Sequence, residues 1–169
     1  MNLGMVYYRQ GDYPKAIDYN QRSLKIFEAI GNKNGESNSL MNLGIVYYRQ
    51  GDYPKAIDHH QRSLNIDDAS DDKNGEARNL GNLGIVYHSQ GDYPNAIDHF
   101  QRSLTIFETL DDRNGEARSL GNLGSVFADQ GDYPNAIDHF QRSLKIFESL
   151  GDKQGEATSL INMGNLNKE

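Results

Sequence analysis

The chain repeats itself every forty residues. "GDYPKAID" begins at Gly11 and again at Gly51, and "GDYPNAID" at Gly91 and Gly131. "QRSL" begins at Gln21, Gln61, Gln101 and Gln141. "NGE" begins at Asn34, Asn74 and Asn114, and becomes "QGE" at Gln154. A fixed period of about 20 to 50 residues marks a solenoid, a propeller or an array. In such chains each unit buries its apolar face against its neighbours, so the core runs along the array.

Periodicity within one unit selects helices. Leu80, Leu83, Gly84 and Tyr87 fall at i, i+3, i+4 and i+7, one face of a helix. Gly91-Asp92 stops that helix, and Asp92 caps the next, with Pro94 in its first turn. The second helix carries Ala96, Ile97, Phe100, Ser103, Leu104 and Phe107 at helical spacing. "LDDRNG" then breaks it. No stretch alternates apolar and polar residues, so the four short strands of a propeller blade are absent from the pattern.

The residues at these positions resemble tetratricopeptide repeats in a forty-residue form. The family's large residue, Leu-Gly and aromatic pattern in the first helix matches Leu80, Leu83-Gly84 and Tyr87. It matches again at Leu40, Leu43-Gly44 and Tyr47, and at Leu120, Leu123-Gly124 and Phe127. The small–aromatic–small pattern of the second helix matches Ala96, Phe100 and Ser103, and Ala136, Phe140 and Ser143. The subgroup it is most similar to is the Leu-Gly-Asn-enriched scaffolds of the Pins type, with kinesin light chains as relatives. Leucine stands in place of the family's tryptophan, and the proline that often ends the second helix is absent. The resemblance implies an all-α, right-handed superhelical solenoid. One array then spans residues 1–169. Its repeats cover 1–33 (truncated at its start), 34–73, 74–113 and 114–153, with a closing helix over 154–169.

Composition sets the remaining limits. There is no cysteine among the 169 residues, which excludes disulfides and thiolate metal sites. Net charge is −7, unsuited to a duplex nucleic-acid ligand. No apolar run approaches the roughly 20 residues of a membrane helix. The start lacks the basic-then-apolar order of a secretion signal. These features point to a cytoplasmic protein.

Glycines interrupt the first helices, each at a cost of about 1 kcal/mol relative to alanine. Gly4, Gly44, Gly84, Gly124 and Gly164 sit on the buried stripe, where a missing side chain lets the second helix approach closely. Gly81 is expected to widen the opposite side, which the resemblance places on the concave inner wall. Beside it an asparagine recurs as Asn2, Asn42, Asn82, Asn122 and Asn162. A carboxamide both donates and accepts, so it can pair with a peptide backbone of any sequence. First helices roughly 10 Å apart and an extended peptide rising about 3.3 Å per residue give one amide for about every third residue. In the Pins-like subgroup asparagines at the matching place contact bound peptides, which implicates Asn42, Asn82, Asn122 and Asn162.

Arg9, Arg49, Arg78 and Arg118 lie on or beside the same wall. Guanidinium groups suit carboxylates, so an acidic or phosphorylated peptide is expected unless Glu36, Glu76, Glu116 or the loop aspartates occupy them. Asp129 replaces the counterpart of Arg49 and weakens any basic stripe there. Met41, Ile45, Ile85, Tyr8 and Tyr48 add an apolar and aromatic side, and His88 faces the same groove.

Other constellations look chemical without the required geometry. Asp98 and His99 are adjacent on a helix and point apart, so "DHFQRS" is no hydrolytic triad. His59, His99 and His139 stand one repeat apart, too far for one metal ion. No catalytic residue, cofactor or metal site is expected. "DDASDD" (67–72) reads as an exposed helix end. Asp67 stands where Phe27, Phe107 and Phe147 recur, and Ser70 where Ile30, Leu110 and Leu150 do. That end should fray, or hinge between the second and third repeats.

The function expected is non-catalytic binding of an extended, acidic segment of another protein in the concave groove. An alternative follows from the ends. Met1 aligns with Met41 and the preceding half of the first helix is missing, while Leu160, Ile161 and Met163 make no polar cap. Either the chain is excised from a longer array, or copies associate head to tail as a structural assembly.

Overall fold

A computed structural model describes residues 3–166. Among them there are helices joined by tight turns and no strand. In chain order the helices are α1 (Leu3–Arg9), α2 (Tyr13–Ala29), α3 (Lys33–Arg49), α4 (Tyr53–Ala69), α5 (Lys73–Ser89), α6 (Tyr93–Thr109), α7 (Arg113–Asp129), α8 (Tyr133–Leu150) and α9 (Lys153–Leu166). Asn2 and Met1 lie outside the described residues.

Local chemistry fixes the helix ends. Gly11, Gly51, Gly91 and Gly131 adopt φ between 74° and 77°, the left-handed turn that stops each first helix. The next residue caps the second helix. Asp12, Asp52, Asp92 and Asp132 each accept a bond from the backbone N–H three residues on, and proline follows in the first turn. Replacing Asp92 by alanine is expected to lower stability by about 1 kcal/mol in urea unfolding, because one orphan N–H loses its partner.

Contacts divide the chain into two compact units, Met1–Val86 and Tyr87–Glu169, with the boundary inside α5. In the first unit α2 packs against α1 and α3, and α3 against α4. Leu24, Leu40, Leu43, Tyr47, Ala56 and Val86 form a buried cluster there. In the second unit α7 packs against α6 and α8, and α8 against α9. Its core includes Phe100, Leu104, Leu120, Leu123, Val126, Phe140 and Phe147.

Two glycine seats recur per repeat, one more than the sequence suggested. The first is the seat expected in the Leu-Gly pair. A Cβ on Gly44 would lie 2.6 Å from His60, and one on Gly124 2.7 Å from Phe140. A Cβ on Gly4 would strike Asn20. The second is the glycine of "NGE". Gly35, Gly115 and Gly155 lie against the rings of Phe27, Phe107 and Phe147, well inside van der Waals distance of an added methyl. This seat joins each second helix to the first helix of the following repeat. Gly164 departs from the expectation: nothing lies within 4 Å of an added Cβ.

Asp67 departs from the reading of an exposed helix end, whereas residues 68–71 are exposed as expected. It is only 2% exposed, and α4 keeps the 17-residue length of α2 and α6. Its carboxylate fills the space of the missing phenyl ring, 2.6 Å from where a Cβ on Gly75 would stand. Asn79 Nδ2 donates to it at 2.7 Å, and Ser37 Oγ donates to its other oxygen. Ser70 is exposed as expected, yet its hydroxyl donates back to the Ile66 carbonyl at 2.7 Å. Burial was mistaken for exposure because both partners of Asp67 lie in other helices.

Candidate functional site

Each first helix leaves one strip uncovered. On α5, Leu80, Leu83, Gly84 and Val86 are buried. Asn82 and Ile85 are half-buried, and Arg78 is exposed. Arg78, Asn82 and Ile85 follow one another at i, i+4 and i+7, so they share a face. On α3 the same face holds half-buried Asn42, Ile45 and Tyr48, with Arg49 exposed at the helix end. In the second unit α7 presents exposed Arg118 and half-buried Asn122 and Ser125, and α9 presents half-buried Asn162.

Met41 is a correction. It is 3% exposed and belongs to the core rather than to the open face. Gly81 and Gly121 occupy its counterpart positions at the edge of the packed stripe. A Cβ on Gly121 would meet Ser143 Oγ at an ordinary 3.6 Å. At Gly121 the position therefore borders the neighbouring helix α8.

The charges on these faces sort into occupied and unoccupied groups. Glu36, Glu76 and Glu116 pair with Lys33, Lys73 and Arg113 within their own helices. They leave Arg78 and Arg118 without a hydrogen bond or ion pair among the described residues. Arg49 Nε donates to Tyr8 Oη at 3.0 Å, and that bond raises its already high pKa. The corresponding pair in the second unit is His88 Nε2 with Asp129 Oδ2 at 2.8 Å, and the His88 ring also lies 6.0 Å from Tyr93. Tyr48 lies 6.0 Å from Tyr53. The carboxamides of Asn42, Asn82, Asn122 and Asn162 have no hydrogen-bond partner among the described residues. They contrast with Asn79, which spends its amide on the core.

Asn79 belongs to a polar cluster that was missed. His60 takes the place of Phe100 and Phe140, is 1% exposed, and sits under Gly44. Asn79 Nδ2 donates to Asp67 and to Ser63 Oγ, both at 2.7 Å, so its Oδ1 accepts from His60 Nδ1 at 3.3 Å. Ser63 donates onward to the Ser37 carbonyl at 2.9 Å. Burial drives the His60 imidazole down to about 4, against the opposing bond to Asn79. Burial raises the Asp67 carboxyl, partly offset by the bonds from Ser37 and Asn79. Aligning the repeats in register would have exposed this cluster. Asn79 stands where Ser39, Ser119 and Ser159 do, and three departures coincide.

The remaining histidines serve structure. His59, His99 and His139 use Nδ1 on the carbonyl four residues earlier, at 2.8 Å. Their rings lie 5.1 Å from Tyr47, Tyr87 and Phe127. Ser103 is fully buried and Asp98 stands 3.9 Å from His99. Among the described residues no group of three or more His, Asp or Glu side chains could hold a metal ion. No described helix is long and apolar enough to cross a membrane.

Helix hairpins with a Leu-Gly seat under an aromatic ring and an open strip on each first helix define a helical-repeat binding protein. The tetratricopeptide repeat model matches residues 1–69, 39–109, 75–149 and 115–169, and the chain belongs to that family. Comparison with curated proteins returns no match. Among solved structures, BtubC from P. vanneervenii superposes with a TM-score of 0.88 at 21% identity, covering 98% of this chain and 69% of that one. Apo RapI gives 0.90 at 24%, over 98% and 61%. Aspartyl phosphate phosphatase F from Bacillus subtilis gives 0.92 at 17%, over 98% and 43%. A Rap protein complexed with competence and sporulation factor gives 0.83 at 18%, over 96% and 46%. At these identities the likeness is one of fold, and the chain spans between 43% and 69% of these proteins.

Proposed function

We propose that this protein-interaction module binds an extended, acidic segment of another protein without catalysing a reaction, in a cytoplasmic setting. The segment lies on the open strips of the first helices, those expected to line the concave groove of one continuous array. Asn42 and Asn82 in the first unit, and Asn122 and Asn162 in the second, pair with its backbone. Arg49, Arg78 and Arg118 take its carboxylates, and Tyr48, Ile85 and His88 contact its side chains. The observation that carries this reading is the set of unpartnered carboxamides beside unpaired guanidinium groups. A half-buried amide gains by finding a partner, and a free guanidinium binds a carboxylate bidentately. The similar Rap protein, bound to competence and sporulation factor, adds support by analogy.

The test is a titration of isotope-labelled protein with short peptides carrying spaced glutamates, read on the asparagine side-chain amides. Saturable shifts of the four carboxamides are expected. Asn82→Ala combined with Asn122→Ala should weaken binding about tenfold or more, the loss of two hydrogen bonds at about 1 kcal/mol each.

Exposed Leu160 (56%) and Ile161 (62%) on α9 favour a second reading, head-to-tail association of copies. Light scattering across concentration separates the two. Silent amides together with a mass that grows with concentration would replace peptide binding by assembly.

A further inference from the structure

The second unit holds a cleft of about 290 Å³ between α7, α8 and α9. Ser125 and Asp129 line it from one face of α7, Tyr133 and Phe140 from α8, and Asn162 from α9. That volume lies near the lower end of ligand pockets, the size for a side chain rather than a whole cofactor. From these groups we infer that the cleft takes a cationic side chain, lysine or arginine, of the bound segment. The inference rests on the peptide-binding reading and adds a specificity to it.

Asp129 supplies the charge. It is the last residue of α7, where the helix dipole disfavours an anion and where α3 carries Arg49. A carboxylate placed against that local preference adds to the negative end of the helix, and the two together attract a cation. His88 engages one oxygen, Oδ2, and the side chain remains 59% exposed. A carboxylate has about four lone-pair sites, so acceptor capacity is left over. Ser125 Oγ donates to the Gly121 carbonyl at 3.0 Å, which leaves its lone pairs as acceptors. The Asn162 carbonyl is a further acceptor. Tyr133 provides aromatic surface for the methylenes and the charge of the guest, and Phe140, 2% exposed, forms part of the floor. Acceptors, a carboxylate and an aromatic ring, with no cationic side chain among the described residues that line the cleft, complement an ammonium or guanidinium group.

Random short peptides displayed on phage and selected on the full chain test this, with lysine and arginine distinguished by the enriched sequences. Selected peptides should share one basic position. Asp129→Arg should weaken them about tenfold or more, the loss of one charge-assisted contact, and a glutamate at that peptide position should restore binding to the variant. Asn162→Ala, which leaves the charge in place, should weaken binding less. Peptides that bind well with no shared basic position, or that bind Asp129→Arg equally, overturn the inference and leave peptide binding standing. Failure to enrich any peptide removes the peptide reading, and this inference with it.

Discussion

Replacing Gly115 by alanine should destabilise the protein by about 2 kcal/mol, although alanine is the better helix former. The added Cβ would meet three carbons of the Phe107 ring, all well inside contact distance. That ring is buried, at 8% exposure. Overpacking of this kind costs about 1–3 kcal/mol or more, and the contact belongs at the upper end. The gain in helix propensity returns about 1 kcal/mol. Urea unfolding measures the difference. Gly164→Ala is the contrasting case: nothing lies within 4 Å of its added Cβ, so only the propensity gain of up to about 1 kcal/mol remains. A double-mutant cycle locates the cause. In a Phe107→Ala background the Gly115→Ala penalty should vanish. An equal penalty with the ring removed would show that the backbone, not the seat, requires glycine.

This pair of glycines also separates what the sequence made legible from what it hid. Helix ends were legible because their chemistry is local. Gly91, Asp92 and Pro94 are consecutive or nearly so, and each acts within one turn. The Leu-Gly seat was legible because the repeat aligned Gly124 with the aromatic position of the next helix. The "NGE" seat was not, because nothing local distinguishes a glycine at a helix start from one under a ring in the preceding helix. Asp67 was harder still. Its hydrogen-bond partners Ser37 and Asn79 stand thirty and twelve residues away, so a buried, satisfied carboxylate looked like a solvated one. Met41 failed for a related reason: its side of the helix borders a neighbour, and only packing decides which edge of a strip stays open. The candidate binding face was readable as a face, whereas the freedom of Arg78 and Arg118 depended on which cation each glutamate chose. The choice fell to Lys33, Lys73 and Arg113, one turn away in each case.

Stability should fall as the solution is acidified below about pH 6.5, and His60 should account for most of that fall. In the unfolded chain the imidazole takes up its proton near its ordinary 6.5. In the folded chain it stays neutral down to about 4, since burial under Gly44 disfavours the charged ring. A folded-state value below the unfolded one means that the unfolded chain binds more protons between those limits, so stability is lost as pH drops through that window. The full difference corresponds to about 3 kcal/mol. Asp67 works in the opposite sense. Its carboxyl is raised by burial, so the folded chain takes that proton first and stability gained at low pH is lost as pH rises. The two groups therefore act with opposite signs, and the wild-type profile carries both. His60→Phe isolates it, since phenylalanine already occupies this place at Phe100 and Phe140. Urea unfolding of both proteins at about pH 7.5 and about pH 4.5 should show the wild type losing up to about 3 kcal/mol more than the variant. Parallel losses in the two proteins would assign the acid sensitivity to the carboxylates instead and would remove the imidazole as its source.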